Sequence, residues 1–278
     1  MVLLLMVGLA GCRSDEQPEQ AFANWPEALA DFRFRWAAEP GIDLVTGPAV
    51  PLRAYVESYR VAQFTADFGA AYPGFDRAVP PASTPPFSSS TPAQLVSIRP
   101  VLDAEPFGPA GAFYGNEYFH VLELTQIENG YRAYVCDGLY KIFREGQQHE
   151  TFESVVRYEG RTGLNDVDGL KVWRVEFTDT PADPNDPAMV STAQNGPNPA
   201  PVDDVFGPWR ITGAGDYQWG TPITREFTAD QTVDGERRLS KCADRMPANR
   251  ERRQAYFSSA LDTPPTTDPA EPGWPDRR

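Results

Sequence analysis

Histidine, lysine and cysteine are scarce in this chain: two His, three Lys and three Cys among 278 residues. The Cys and His are all distant from one another and show no metal-ligand spacing, so no metal site is expected. A serine hydrolase needs a Gly-x-Ser-x-Gly elbow and a general base. The elbow is absent, and only His120 and His149 could serve as the base. His120 begins an expected strand and reads as structural, while His149 reads as solvated in a turn. His149-Glu150-Thr151-Phe152-Glu153 starts like a zincin helix but has Glu where the second His belongs. Asn165-Asp166-Val167-Asp168-Gly169 has a calcium-loop core, yet Leu164 and Val175 fall where the terminal carboxylates are needed. Gly213-Ala214-Gly215 lacks the third glycine of a dinucleotide fingerprint, and no Walker pattern occurs. No catalytic residue and no cofactor are therefore assigned. Positive charge is also short, at 25 Lys and Arg against 39 Asp and Glu, for a net charge of −14. A nucleic-acid partner is excluded on that ground, because phosphate binding needs a basic face. Electrostatic adhesion to anionic lipid is disfavoured for the same reason.

What is present begins with a short apolar segment, Leu3 to Leu9, closed by Leu9-Ala10-Gly11-Cys12. It is too short to span a bilayer, which takes about 20 residues, and reads instead as a signal peptide. The ending resembles the lipobox of bacterial lipoproteins. That resemblance implies cleavage before Cys12, lipidation of the Cys12 sulfur, and residence on the extracytoplasmic side of the cell membrane. The departure from the pattern is the lack of a basic residue before Cys12, which points to a start upstream or to a weak signal. With 22 Arg to three Lys and 28 Pro, the chain resembles exported lipoproteins of actinobacteria in style.

Once Cys12 carries the lipid, Cys136 and Cys242 remain as an even pair in an exported domain and read as a disulfide. It would close a loop of about a hundred residues and contribute about 3–4 kcal/mol through the unfolded state.

Phe32-Arg33-Phe34-Arg35-Trp36 alternates as a half-buried strand. Pro51 to Phe68 reads as an amphipathic helix with Leu52, Val56, Tyr59 and Gln63 in one row and Tyr55 beside it. Tyr55 and Tyr59 are candidate lining of a ligand pocket. Asn129-Gly130 is a two-residue hairpin turn, which pairs Gln126 with Ala133, Leu124 with Val135 and Leu122 with Asp137 on a mainly apolar face. Phe152 to Tyr158 and Leu170 to Thr178 read as further strands, and Trp209 to Thr212 as a returning one. Glu236 to Ser259 reads as helical in part, broken near Pro247.

The expected fold class is α+β: a curved antiparallel sheet of about four to six strands packed on the helix, with long Pro-rich loops. The order of elements between about residues 51 and 178 resembles nuclear transport factor two-like (cystatin-like cone) domains. An open sheet or partial barrel packed with two helices is the alternative. The expected organisation is a signal peptide over 1–11, a tether over 12–24 and one domain over 25–260. Loop insertions fall at about 79–92 and 179–208, and 261–278 reads as a Pro-rich disordered tail. The Ser/Thr-Pro segments are open to O-linked sugar.

Three functional readings follow. The first is a membrane-anchored, non-enzymatic domain that binds a small apolar ligand or an envelope protein. The second is an interaction subunit with exposed Trp209, Trp219 and Trp274 as anchors, against which Trp209 and Trp219 read more simply as core. The third is a hydrolase or isomerase whose Asp or Glu pair sits in a sheet pocket, marked by a carboxylate of strongly raised pKa.

Overall fold

The computed structural model describes residues 22–82, 90–102, 111–146, 151–156, 169–180, 187–228, 232–258 and 260–276. The signal segment, Cys12, His149 and the Asn165–Asp168 stretch lie outside them.

Seven strands form one curled sheet. They are β1 (Phe32–Ala38), β2 (Phe113–Ile127), β3 (Gly130–Gly138), β4 (Ile142–Glu145), β5 (Phe152–Ser154), β6 (Leu170–Thr178) and β7 (Arg210–Gly215). Along the path β5-β4-β2-β3-β6-β7 every pairing is antiparallel. The fold class is thus α+β, as expected. One strand breaks the pattern: β1 pairs with β2 in parallel, Phe34 beside Glu117. Gly115 pairs with Phe32 on one side and Ile142 on the other, so β3 and β4 share the β2 edge opposite β1.

The β2–β3 hairpin differs in register from the expected one. Ile127 pairs with Gly130, which places Glu128-Asn129 in the turn and Leu124 opposite Ala133. Neither Glu128 nor Asn129 has the positive φ that the expected primed turn demands. Gly130 is needed inside the strand instead: its φ is 137°, and a Cβ there would lie 2.1 Å from the Phe177 carbonyl oxygen of β6. A bulge between Val121 and Glu123 then sends Leu122 to the opposite face from Leu124.

Both faces of the sheet are covered. On one lies α1 (Ala49–Thr65), which ends at a left-handed Ala66 rather than running to Phe68. Phe32, Phe34 and Trp36 of β1, Phe119 and Val121 of β2, and Trp173, Val175 and Phe177 of β6 meet it in the main core. The opposite face is covered by α4 (Val233–Arg245) and α5 (Arg250–Ser258), separated at Pro247 as expected. Short helices α2 (Phe75–Ala78) and α3 (Ala93–Val96) and a small hairpin, β8 (Gln218–Trp219) and β9 (Glu226–Phe227), complete the described α-helices and strands. Thr232 caps α4 by accepting from the Gly235 N–H at 3.0 Å. Leu239 and Cys242 turn inward beside Leu122, Tyr134 and Val172. No described helix is long and apolar enough to cross a membrane.

Cys136 of β3 and Cys242 of α4 form the disulfide, 106 positions apart. It fastens α4 to the central strand. Replacing both cysteines with Ala is expected to cost about 3–5 kcal/mol by the loop-entropy argument. Urea unfolding of the double variant reads the loss directly, and an unchanged midpoint would mean that the bond constrains nothing.

Two expected segments turn out otherwise. Residues 261–278 are not free of the core within their described part, 261–276: Trp274 is 1% exposed. The segment pairs with β5 at Leu261 and with β1 at Glu271, then exchanges two backbone hydrogen bonds between Trp274 and Asn198. Gly273 and Gly196 make the approach possible, since a Cβ on Gly273 would stand 2.3 Å from the Gly196 carbonyl oxygen. In the 179–208 stretch, Gln194, Asn198, Ala200, Val205 and Phe206 are buried. Pro and Gly content hides such packing because these segments fold without a helical or strand period.

Candidate functional site

Helix α1 carries the chemistry. Its spacing reads as amphipathic, but 14 of its residues are buried, including Arg53, Glu57 and Arg60. A helix buried nearly all round needs partners for its charges. The sheet and the two long segments supply them.

Glu57 accepts from Trp36 Nε1 at 2.7 Å, Tyr72 OH at 2.7 Å and Trp274 Nε1 at 2.8 Å. Burial pushes its carboxyl up, opposed by Arg53 and by these three donors. Arg53 lies one helical turn before Glu57, with 3.9 Å between Nε and Oε1. Its guanidinium donates to the carbonyls of Leu44, Gln194, Pro272 and Gly273 and stacks over Trp274 at 4.2 Å. One arginine thereby clasps three segments far apart in sequence.

Arg60 sits on the same helix above two acids. Its Nε donates to Glu117 Oε1 at 2.7 Å, its Nη2 to Asp137 Oδ2 at 2.6 Å and its Nη1 to Gln63 at 2.7 Å. Trp173 Nε1 also donates to Asp137 Oδ2, at 2.9 Å. Both acids are fully buried. Burial pushes Glu117 well above the ordinary carboxylate range, with neighbouring Asp137 adding to the rise and Arg60 opposing it. Two buried carboxyl groups thus share one cation.

Tyr55 is wholly buried and donates to the Ile98 carbonyl at 2.8 Å. Tyr59 packs edge-on against Trp173, with ring centroids 4.9 Å apart. Burial raises the pKa of both phenols. Two described concavities lie elsewhere. A loop pocket of about 290 Å³ is lined by Gln194, Pro201, Val202, Asp203, Asp204 and Asp276, among others. Asn24 donates to the Pro201 and Val202 carbonyls, which pins the beginning of the described chain at that pocket. A wider groove of about 810 Å³ lies on α4 and α5, with Leu239, Ala243, Met246 and Pro247 as apolar lining and Asp244 and Arg250 among its polar residues.

Trp209, Trp219 and Trp274 are all buried, so none is an exposed anchor. His120 lies within β2, 6% exposed, with Nε2 at 3.4 Å from Glu39, which Arg245 also holds. Among the described residues no group of His, Cys, Asp and Glu is arranged to hold a metal.

Reading of the sequence did not single out Arg53, Glu57, Arg60 or Glu117. The signal was available in part. Glu117 occupies the same alternation as Phe113, Phe119 and Val121, which puts a carboxylate on an apolar face. Asp137 stood on the expected apolar side of the hairpin for the same reason.

Compared with protein-family models, with curated proteins and with solved structures, the chain matches none.

Proposed function

We propose that this chain is a lipid-anchored, exported protein of the cell envelope whose domain binds a ligand or partner at its outer surface. The lipobox at Cys12 supports the address. The observation that carries the binding mode is the filling of both sheet faces. Tyr55 and Tyr59 turn from α1 into the main core, Tyr59 against Trp173 of β6, and α4 and α5 occupy the other side. The α4–α5 groove, of about 810 Å³, stays open on that second side. Its apolar lining and mixed-charge rim suit a segment of another envelope protein, with Leu239 and Met246 as the floor.

Two experiments test this reading. The Cys12→Ala protein is expected to leave the membrane fraction for the soluble one; retention in membranes as tight as that of the wild type would refute the anchor. A photo-reactive residue at Ala243, within the groove, is expected to cross-link one defined species in the native envelope. The same residue at exposed Asp262 is expected to cross-link none. Equal labelling from both positions would remove the groove from consideration.

A further inference from the structure

We propose that Glu117 and Asp137 share a single proton, so that Glu117 is a neutral hydrogen-bond donor in the folded protein and the seating of α1 weakens as pH rises. The hydrogen-bond inventory leads there. Asp137 Oδ2 receives Arg60 and Trp173, and Glu117 Oε1 receives Arg60. Glu117 Oε2 and Asp137 Oδ1 are both buried, and among the described residues no donor reaches either. One guanidinium brings the two carboxyl groups side by side, Glu117 on Arg60 Nε and Asp137 on Arg60 Nη2. Two ionised acids would set oxygen against oxygen and leave a net negative charge in a dry core, which is strongly unfavourable. One proton placed between them satisfies both oxygens with a charge-assisted bond. It also leaves one negative charge opposite one guanidinium.

Among the described residues, Arg60 is the cation paired with each acid. From β1 the neighbour is Phe34, and from α1 the neighbours are Arg60 and Gln63. From β6 the neighbour is Trp173. Further along the face, Tyr59 lies beside Lys171 and Asp216, which pair with each other at 3.4 Å. The raised pKa of Glu117 agrees with this inventory.

The sign of the pH effect follows from linkage. Below the ordinary carboxylate range, folded and unfolded chains both hold the proton and the contribution to stability is complete. Above it the unfolded chain releases the proton while the folded pair keeps it, so stability falls as pH rises, until the pair itself ionises. Glu57 is also raised and acts in the same direction, so the difference between wild type and a Glu117 variant is the informative quantity.

Glu117→Gln puts an amide donor where the shared proton sits and is expected to fold. Thermal midpoints from pH 5 to 9 are expected to fall more steeply in the wild type than in E117Q, by roughly 3–5 °C per pH unit. Equal slopes would overturn the proposal. Should E117Q fail to fold, carbon-13 NMR of Glu side-chain carboxyls in the wild type decides the matter at pH 7. A neutral carboxyl that responds to Asp137→Asn is expected. A spectrum with every Glu ionised, or with a neutral signal blind to that substitution, would refute it.

Discussion

Replacing Arg60 with Met is expected to cost about 3–5 kcal/mol, the loss seen when one member of a buried ion pair is removed and its partner is left uncompensated. The chain has little reserve against such a loss, since domains are stable by only about 5–15 kcal/mol. Arg60 is 2% exposed and holds Glu117, Asp137 and Gln63 in the interior. The cost is expected to come mainly from stranded charge rather than from lost packing, because Met fills much of the same space. A second substitution separates the two causes. Adding Asp137→Asn and Glu117→Gln to Arg60→Met removes every charge in the cluster, and most of the lost stability is expected to return. Urea midpoints of the single and triple variants make the comparison. A triple variant no better than the single would assign the loss to packing.

Trp274→Ala is expected to be as damaging, again by about 3–5 kcal/mol, the usual cost of deleting a fully buried large aromatic side chain. Three contacts disappear together: the donor to Glu57, the ring beneath Arg53 and the edge-on contact with Tyr72. Trp274→Phe keeps most of the apolar volume but not the N–H, and is expected to lose about 1–3 kcal/mol through the under-satisfied carboxylate. Chemical unfolding of both variants gives the order wild type, Phe, Ala. If the segment were a detached tail, the three would unfold together.

Legibility in the sequence tracked regularity. Strand β6 falls on Leu170–Thr178, the span its alternation marks, and β1 begins at Phe32 as expected. The helix expected over Pro51 to Phe68 stands at 49–65, and the helical pair split at Pro247 and the Cys136–Cys242 bond are also legible. The hairpin register was not, because the Asn-Gly signal is local whereas Gly130 answers to β6, a strand some 40 residues on. The parallel pairing of β1 with β2 also lacks a local mark. Above all, Arg53, Glu57 and Arg60 look like a solvated helix face. Only tertiary contacts with residues near 117, 137, 194 and 273 reveal them as interior. Proline-rich composition argued against order at Trp274 for the same reason: its packing partners are distant, and composition reports only neighbours.

The clasp around Arg53 also has a place in time. The guanidinium depends on carbonyls 219 and 220 positions later in the chain. At about 5–20 residues per second of synthesis, those partners arrive roughly 10–45 s after Arg53 does. Throughout that interval the Arg53 guanidinium lacks its Pro272 and Gly273 acceptors. The clasp is thereby among the last contacts of the fold to close.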